Sequence, residues 1–174
     1  MNEQGTIGIR EVTDADLSFV MELVNREIER SAFVYAEVPV TLEERQGWLA
    51  SHRAAGLPVL LATDVNGAPL GWASLSPYRA SSGYRHTVEA SVYVASGAQR
   101  RGVASRLLST LETWASTHDK HVIIASIDAE NVASITLFER FGYREVARLP
   151  EVGRKYGIWR TQILLSRTLA DHLL

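Results

Sequence analysis

The amino-acid sequence predicts an α/β fold in which a mixed central sheet is flanked by helices. Strand-like and helical segments alternate in the order β-α-α-β-β-β-α-β-α-β-β, without an internal repeat or a linker. Asn66 and Gly67 between two apolar runs indicate an antiparallel hairpin, whereas residues 121–127 are almost continuously apolar, as parallel strands buried on both faces are. A chain of 174 residues matches a single domain over residues 1–174.

The first half of the chain is predicted to hold three strands and two helices. Residues 7–12 alternate as a strand does, and apolar residues recur every three or four positions from 14 to 30, which favours an amphipathic helix. Residues 31–40 are irregular. Thr41 and Glu44 form a capping box that begins a second helix, which Gly56 and Pro58 end. Residues 59–63 and 70–75 are the two strands of the hairpin.

The second half begins with a predicted loop, residues 78–86, and a strand over 87–94. Residues 101–118 show the most regular helical pattern of the chain, and the buried strand 121–127 follows them. A short helix over 131–141 is closed by Gly142. Two strands, about 143–149 and 158–168, complete the expected order of elements.

The composition excludes several classes of function. Eighteen basic and twenty acidic residues leave a net charge of −2, so the chain as a whole does not attract nucleic acid or an anionic membrane. It has no cysteine, which excludes disulfides, thiolate metal sites and a cysteine nucleophile. No membrane-length apolar run and no signal sequence is visible in its polar N-terminal stretch, and a cytoplasmic protein is expected. His118 and His121 span a helix end and a strand start, so no metal site is expected.

A strand, a turn and a helix follow one another over residues 92–107, and this segment has the features of an anion site. A helix start offers free backbone N–H groups, and Gly102 lets a ligand approach them. Arg100 and Arg101 add fixed positive charge. The alternative interpretation is a solvated turn that binds nothing.

The motifs around this turn resemble those of the GNAT superfamily of N-acetyltransferases. Residues 99–104, QRRGVA, match its Q/R-x-x-G-x-G/A signature, and residues 131–143 resemble its N-x-x-A-x-x-L-Y/F-x-x-x-G-F helix. The resemblance implies acetyl-CoA as co-substrate, with its pyrophosphate in the turn at 100–105 and its pantetheine arm on the backbone of residues 92–94. The implied acetyl-CoA contacts are Val92, Tyr93, Val94, Gln99, Arg100, Arg101, Gly102, Val103, Ala104, Ser105, Asn131 and Ser134.

Residues 87–94, 127–135 and 150–159 are similar to one branch of that superfamily, the phosphinothricin and methionine sulfoximine acetyltransferases. Those enzymes acetylate the α-amino group of small amino-acid analogues, which implies an acceptor of that kind. They are dimers, so a homodimer is implied as well. The implied acceptor contacts are Arg79, Ala80, Ser81, Glu89, Ala90 and Ser91. Arg79 would pair with an α-carboxylate, and an exposed loop arginine is the alternative.

Glu89 is the candidate general base. Over residues 87–94 the even positions are apolar, whereas Thr87, Glu89, Ser91 and Tyr93 share the opposite face because side chains in a strand alternate. A neutral amine must attack the thioester, and an α-ammonium is mostly protonated at neutral pH. Glu89 is predicted to take that proton, directly or through water, and a backbone N–H near Tyr93 or Val94 to stabilise the oxyanion. The alternative is a solvated strand carboxylate.

Several positions depart from the enzymes that the chain resembles. Phe138 stands where many of them have a tyrosine or histidine able to protonate the leaving thiolate. A water, another side chain or direct release of the thiolate would have to serve instead. On the acceptor side, Tyr35-Ala36 replaces an aromatic-Asn pair, Ala90 a histidine, and residues 158–161, IWRT, an Arg-Trp-Leu-Asp tail. Lys155 is expected to be solvated, and the tryptophans are expected to fill the core or an interface: Trp48, Trp72, Trp114 and Trp159.

Two alternative functions stay open beside acetylation of an amino-acid-like acceptor. The altered acceptor positions leave room for a protein N-terminus or another amine. Phe138 makes a non-catalytic acetyl-CoA-binding regulatory module conceivable, although Glu89 on the polar strand face argues against it. Without cysteine, an acetyl group would pass directly from CoA to the amine.

Overall fold

The computed structural model describes residues 7–169, and the predicted elements are all present within this range. The polar stretch of residues 1–6 lies outside it. In chain order the elements are β1 Gly8–Glu11, α1 Leu17–Arg30, α2 Leu42–Ala54, β2 Val59–Thr63, β3 Pro69–Pro77, β4 Thr87–Val94, α3 Val103–Thr117, β5 Val122–Asp128, α4 Val132–Arg140, β6 Arg144–Lys155 and β7 Ile158–Thr168.

The strands are hydrogen-bonded in the order β1-β2-β3-β4-β5-β7-β6. The pairs β1–β2, β2–β3, β5–β7 and β6–β7 are antiparallel. The pair β4–β5 is parallel, with Thr87 opposite Val122 and Glu89 opposite Ile124. The predicted mixed α/β sheet flanked by helices is therefore confirmed, as are the hairpin and the buried parallel strand.

The described chain forms two compact units that interleave along the sequence, with strand β4 divided between them. The first unit comprises residues 7–25, 40–75 and 91–114. The second unit comprises residues 26–39, 76–90 and 115–169. Each has its own apolar core, and each is described separately below.

The core of the first unit combines an amphipathic helix, a buried hairpin and the start of α3. Thr41 begins α2 as predicted, because its hydroxyl accepts the Glu44 N–H at 3.2 Å while the Glu44 carboxylate accepts the Thr41 N–H at 2.7 Å. All five residues of β2 are buried. The largest fully buried side chains of this unit are Leu17, Val20, Leu49, Leu61, Leu75, Leu107, Leu108 and Leu111.

The core of the second unit lies on β5 and β7, where Ile123, Ile163 and Leu165 are completely buried. Helix α4 contributes Phe138, whose ring meets the edge of the Tyr143 ring at 4.9 Å between centroids. Gly142 ends this helix as predicted, with a φ of 84° that the left-handed region allows to glycine.

Two expectations about the last strands are corrected. Strand β6 runs on to Lys155, well past residue 149, with register shifts that absorb its irregular middle. Lys155 is buried, not solvated: its ammonium donates to the carbonyl of Ile28 at 2.8 Å and to that of Ala36. Trp159, expected in the core or an interface, is 57% exposed and is not in the core. Among residues 7–169, no helix has the length and apolarity needed to cross a membrane.

Candidate active site

The turn between β4 and α3, in the first unit, exposes a row of backbone donors. Arg100 has a φ of 59° and Gly102 a φ of 84°, and these left-handed residues turn the chain sharply into α3. The first bond of the helix runs from the Arg106 N–H to the Gly102 carbonyl at 3.0 Å. The N–H groups of Val103, Ala104 and Ser105 therefore have no carbonyl of the helix to bond. With the helix dipole they form a site suited to an anion.

The side chains of this turn leave the backbone open to a ligand. Gln99, Arg100, Arg101, Gly102 and Ser105 are exposed, whereas Val103 is buried and anchors the first turn of α3. Two guanidinium groups next to free N–H groups concentrate positive charge on a chain whose net charge is −2. The predicted strand, turn and helix are thus confirmed in their geometry.

The end of β4 is held close to β3 by a glycine. A Cβ on Gly71 would lie 2.5 Å from the Tyr93 carbonyl oxygen and 3.1 Å from the Val94 Cα. The Ala95 N–H donates to the Leu70 carbonyl at 2.9 Å. The Tyr93 ring stacks on Trp72, with centroids 4.7 Å apart and planes 15° apart. These contacts fix the backbone of residues 92–94, the segment predicted to bind the pantetheine arm.

An arginine that the sequence analysis did not single out lies beside this strand end. Arg45 of α2 packs its guanidinium over the Trp48 ring at 5.0 Å, and Trp48 meets Trp72 edge-on at 5.5 Å. Burial lowers the pKa of Arg45 from its ordinary value. Its Nε and the Trp72 indole N–H are buried without a hydrogen-bond partner among residues 7–169. The spacing of three between Arg45 and Trp48 on a predicted helix was the available signal.

In the second unit, β4 presents Glu89 as the alternation predicts. Val88 and Ala90 are buried, and Glu89 is half-buried on the opposite face. Among the described residues, its carboxylate has no hydrogen-bond or ion-pair partner. A partly shielded carboxylate that is not paired with a basic side chain is a candidate general base. The apolar face is less regular than expected, because Val92 and Val94 are only half-buried.

The loop before β4 carries the other predicted acceptor residues. Arg79, Ala80 and Ser81 are exposed. The Arg79 guanidinium lies over the Tyr78 ring at 4.9 Å, and no carboxylate of the described residues pairs with it. Ser81 begins a short turn through the Tyr84 N–H, which donates to the Ser81 carbonyl at 2.9 Å. Arg79 is therefore available to an acidic ligand.

Asn131 and Ser134 begin helix α4 in the second unit. The Asn131 side-chain oxygen accepts the Ser134 N–H at 3.1 Å, so Asn131 caps the helix. Phe138, one turn further on, is 2% exposed and offers no proton. Among the described residues, no cluster of three or more His, Cys, Asp and Glu side chains has the arrangement to hold a metal ion.

The predicted site residues thus fall into two groups. The first unit brings together residues 92–94 and the donors of the 99–105 turn. The second unit contains the loop at 79–81, Glu89 and Ala90 on β4, and the cap of α4. Ser91 is the first residue of the β4 segment that belongs to the first unit.

Comparison with known proteins gives consistent matches. Residues 22–143 match the family model described as "Acetyltransferase (GNAT) family". A phosphinothricin N-acetyltransferase from Streptomyces coelicolor is 39% identical over 153 residues, which cover 87% of this chain and 90% of that protein. An L-methionine sulfoximine/L-methionine sulfone acetyltransferase from Pseudomonas aeruginosa is 36% identical over 151 residues, covering 87% and 88%.

Solved structures agree with these matches. The Salmonella typhimurium protein yncA, crystallised with its cofactor acetyl-CoA, superposes with a TM-score of 0.92 at 33% identity, covering 97% of both chains. A ribosomal-protein-alanine N-acetyltransferase from Brucella melitensis superposes with a TM-score of 0.89 at 38% identity, covering 93% of this chain and 99% of that one.

Proposed function

Because this chain belongs to the acetyltransferase (GNAT) family and is an N-acetyltransferase, we propose that its acceptor is the amino group of a small amino-acid-like molecule. Phosphinothricin, methionine sulfoximine and methionine sulfone represent the acceptor class, as the names of two relatives with 36–39% identity suggest. The observation that supports acetyl-CoA binding is the row of backbone N–H groups after Gly102 that have no carbonyl partner in the helix. We propose that residues 1–174 form one acetyltransferase domain and that the protein is cytoplasmic.

Acetyl-CoA binds through backbone more than through side chains in this proposal. Its pyrophosphate takes the N–H groups of residues 103–105, and Arg100 and Arg101 balance its charge. The pantetheine arm lies along Val92–Val94, the segment that Gly71 and Trp72 hold in place. Gln99, Asn131 and Ser134 complete the contacts. The fit rests on the positive φ of Gly102, which leaves the helix start unshielded.

The chemistry requires the loss of one proton before attack. Glu89 takes it from the acceptor ammonium, directly or through water, and the free amine forms a C–N bond to the thioester carbonyl. A backbone N–H at Tyr93 or Val94 stabilises the oxyanion. The C–S bond then breaks and CoA leaves as thiolate, while the amine nitrogen releases its second proton to water. Buried Phe138 has no proton to give the sulfur. The chain has no cysteine, so the transfer is direct.

The acceptor is oriented by its own carboxylate. Arg79 offers a planar guanidinium with no competing carboxylate, and it pairs with the α-carboxylate of the acceptor. Ala80, Ser81 and Ser91 line the remainder of the acceptor site, and Ala90, whose side chain is buried on the other face of β4, contributes its backbone.

A homodimer is part of the proposal. The β6–β7 hairpin exposes several apolar side chains on an edge of the sheet, a pattern typical of an interface. They are Val146, Val152, Ile158 and Trp159, each between 55% and 62% exposed. Light scattering after size exclusion should give twice the 19.3 kDa mass of the chain, and the single-chain mass would contradict it.

The acceptor class is tested by measuring CoA release with a panel of amines. The panel holds phosphinothricin, methionine sulfoximine, methionine sulfone, free amino acids and short peptides. We expect release with the first three. Release with peptides alone would replace this proposal with protein N-terminal acetylation, the second candidate, which the similarity to the Brucella melitensis enzyme favours. Acetyl-CoA binding without release would indicate a regulatory module.

The role of Glu89 is tested by Glu89→Gln. General-base catalysis contributes roughly 10²–10⁴-fold, so we expect kcat to fall at least about a hundredfold. The affinity for acetyl-CoA should change little. Glu43→Gln, at an exposed position in the first turn of α2, is the matched control and should keep full activity. A Glu89→Gln enzyme with the wild-type pH–rate profile would remove Glu89 from the mechanism.

A further inference from the structure

A tyrosine attaches the irregular segment before α2 to the end of β5 in the second unit. The Tyr35 hydroxyl donates to Asp128 Oδ2 at 2.9 Å and to the Thr161 carbonyl at 3.3 Å. Its ring lies directly against Gly153, in space that the Cβ of any other residue would occupy. Burial and the neighbouring Asp128 raise the pKa of Tyr35 to about 12, so the hydroxyl keeps its proton at any physiological pH.

Asp128 also accepts hydrogen bonds from an arginine and from the turn that starts α4. Arg160 donates to its two carboxylate oxygens at 2.8 and 2.7 Å, a bidentate pair in which both residues are buried. The Glu130 N–H donates to Asp128 Oδ1 at 2.9 Å, and the Asn131 N–H to the Asp128 carbonyl at 2.9 Å. Burial opposes the charged carboxylate, but the bonds from Arg160, Glu130 N–H and Tyr35 outweigh it and lower the pKa of Asp128.

This arrangement, which we call the Asp128 network (Tyr35, Asp128, Arg160 and Glu130), has a geometric role. A buried ion pair often stabilises a protein no more than apolar residues of the same size would, and in some proteins its role is to impose one arrangement on its partners. Here the partners are two separate segments: the loop that carries Tyr35 and the turn that places Asn131. Each segment contains residues that the resemblance assigns to the site: Tyr35-Ala36 on the acceptor side and Asn131 on the acetyl-CoA side.

The arginine of the network is a departure of this chain. The sequence has Arg160 in the segment IWRT, residues 158–161, where the enzymes that the chain resembles have Arg-Trp-Leu-Asp. At position 158 this chain has an exposed isoleucine, and its arginine lies two residues further on, where it is 6% exposed and bound to Asp128. Tyr35, the aromatic residue of the pair before α2, and Arg160, a departure in the tail, thus meet on one carboxylate.

We propose that Tyr35, Asp128 and Arg160 are positioning residues that hold the acceptor loop, residues 31–41, against the turn before Asn131 and thereby set acceptor specificity. They act through the loop backbone and touch no reacting atom. The inference rests on the proposed function for its kinetic part. Its structural part, the dependence of loop order on the Tyr35 hydroxyl, does not.

Tyr35→Phe is the most specific test, because it removes one hydroxyl and leaves the ion pair intact. A hydrogen bond to a charged group is worth roughly a tenfold change in an equilibrium, so we expect the KM for the acceptor to rise about three- to tenfold. The KM for acetyl-CoA should stay within about twofold. Tyr156→Phe is the control, because its hydroxyl bonds the Glu29 carbonyl at 2.8 Å and makes no contact with Asp128.

Hydrogen exchange of the acceptor loop supplies the readout that does not depend on catalysis. Peptides covering residues 31–41 should exchange faster in Tyr35→Phe than in wild type or Tyr156→Phe. Unchanged exchange together with unchanged kinetics would overturn the proposal, and so would an equal rise of both KM values. If wild type acetylates no amino-acid-like acceptor, the proposed function fails, and unchanged exchange would then refute the network separately.

A double variant, Arg160→Leu with Thr161→Asp, tests specificity directly. It rebuilds the Leu-Asp part of the tail found in the resembling enzymes. We expect the ratio of kcat/KM between methionine sulfone and phosphinothricin to shift by about tenfold, the size of effect that one altered pocket contact produces. An unchanged ratio in a folded double variant, judged by its circular dichroism, would show that the network does not set specificity.

Discussion

Replacement of Gly71 by alanine should displace the end of β4 and weaken acetyl-CoA binding. The new Cβ would lie 2.5 Å from the Tyr93 carbonyl oxygen and 3.1 Å from the Val94 Cα. Both neighbours are backbone atoms, so no side chain can rotate away. The oxygen must move by about 0.9 Å to reach the ordinary contact distance of 3.4 Å. Overpacking of this kind costs about 1–3 kcal/mol.

The displacement falls on the backbone that the pantetheine arm is proposed to use, so function should suffer more than stability. A shift near 1 Å in a positioned group can cost on the order of a hundredfold in rate. We therefore expect kcat/KM for acetyl-CoA to fall between about tenfold and a hundredfold. At a cost near 2 kcal/mol, the Tm should fall by about 4–8 °C.

Calorimetric titration with acetyl-CoA and equilibrium unfolding in urea measure the two effects separately. Gly47→Ala is the matched control, because a Cβ there meets nothing within 4 Å and the residue lies in helix α2. That change should stabilise the protein by about 0.5–1 kcal/mol and leave acetyl-CoA binding unaltered. Wild-type affinity in Gly71→Ala would show that residues 92–94 do not bind the pantetheine arm through their backbone.

Three further predictions concern stability. Lys155→Met removes a buried ammonium that donates to the buried carbonyl of Ile28 and to the carbonyl of Ala36, and it should cost about 3 kcal/mol in urea unfolding. Lys120→Met loses one exposed bond of 2.9 Å and should cost under about 0.5 kcal/mol. Equal losses would contradict the burial of Lys155. A hydrogen bond from Arg10 lowers the pKa of Asp16, so its stabilising effect is full above about pH 4 and is lost as the pH falls further. Asp16→Asn should therefore be less stable than wild type at pH 7, with the difference shrinking toward pH 2, and a pH-independent difference would exclude the linkage. Asn131→Ala removes the cap of α4 and should cost about 1 kcal/mol, whereas Asn131→Asp should keep most of it, as thermal unfolding would show.

Local signals account for what the sequence predicted well. Asn66-Gly67 indicated the hairpin because the turn needs a left-handed residue, and Gly67 has a φ of 83°. The capping box at Thr41 and the glycine at 142 likewise marked helix ends that the structure has. Each of these signals lies within a few residues of the feature it specifies.

The features that could not be predicted depend on residues far apart in the chain. Lys155 can be buried because the carbonyls of Ile28 and Ala36, more than a hundred residues earlier, accept hydrogen bonds from its ammonium. Tyr35 and Asp128 are 93 residues apart. No periodicity carries such information, since it records only which face of an element is apolar. The length of β6 was missed because an edge strand tolerates Pro150 and a glycine in its middle.

The hydrogen bonds that both lysines donate to carbonyls matter for an enzyme that holds a reactive thioester. The chain has two lysines, Lys120 and Lys155, and each ammonium already donates to backbone carbonyls. A lysine held as a charged donor is a poor nucleophile. The side chains of this acetyltransferase therefore offer little competition to the acceptor for the acetyl group. Buried Lys155 should therefore escape acetylation, and amine-directed dyes should modify it far less than Lys120, whose hydrogen bond is exposed.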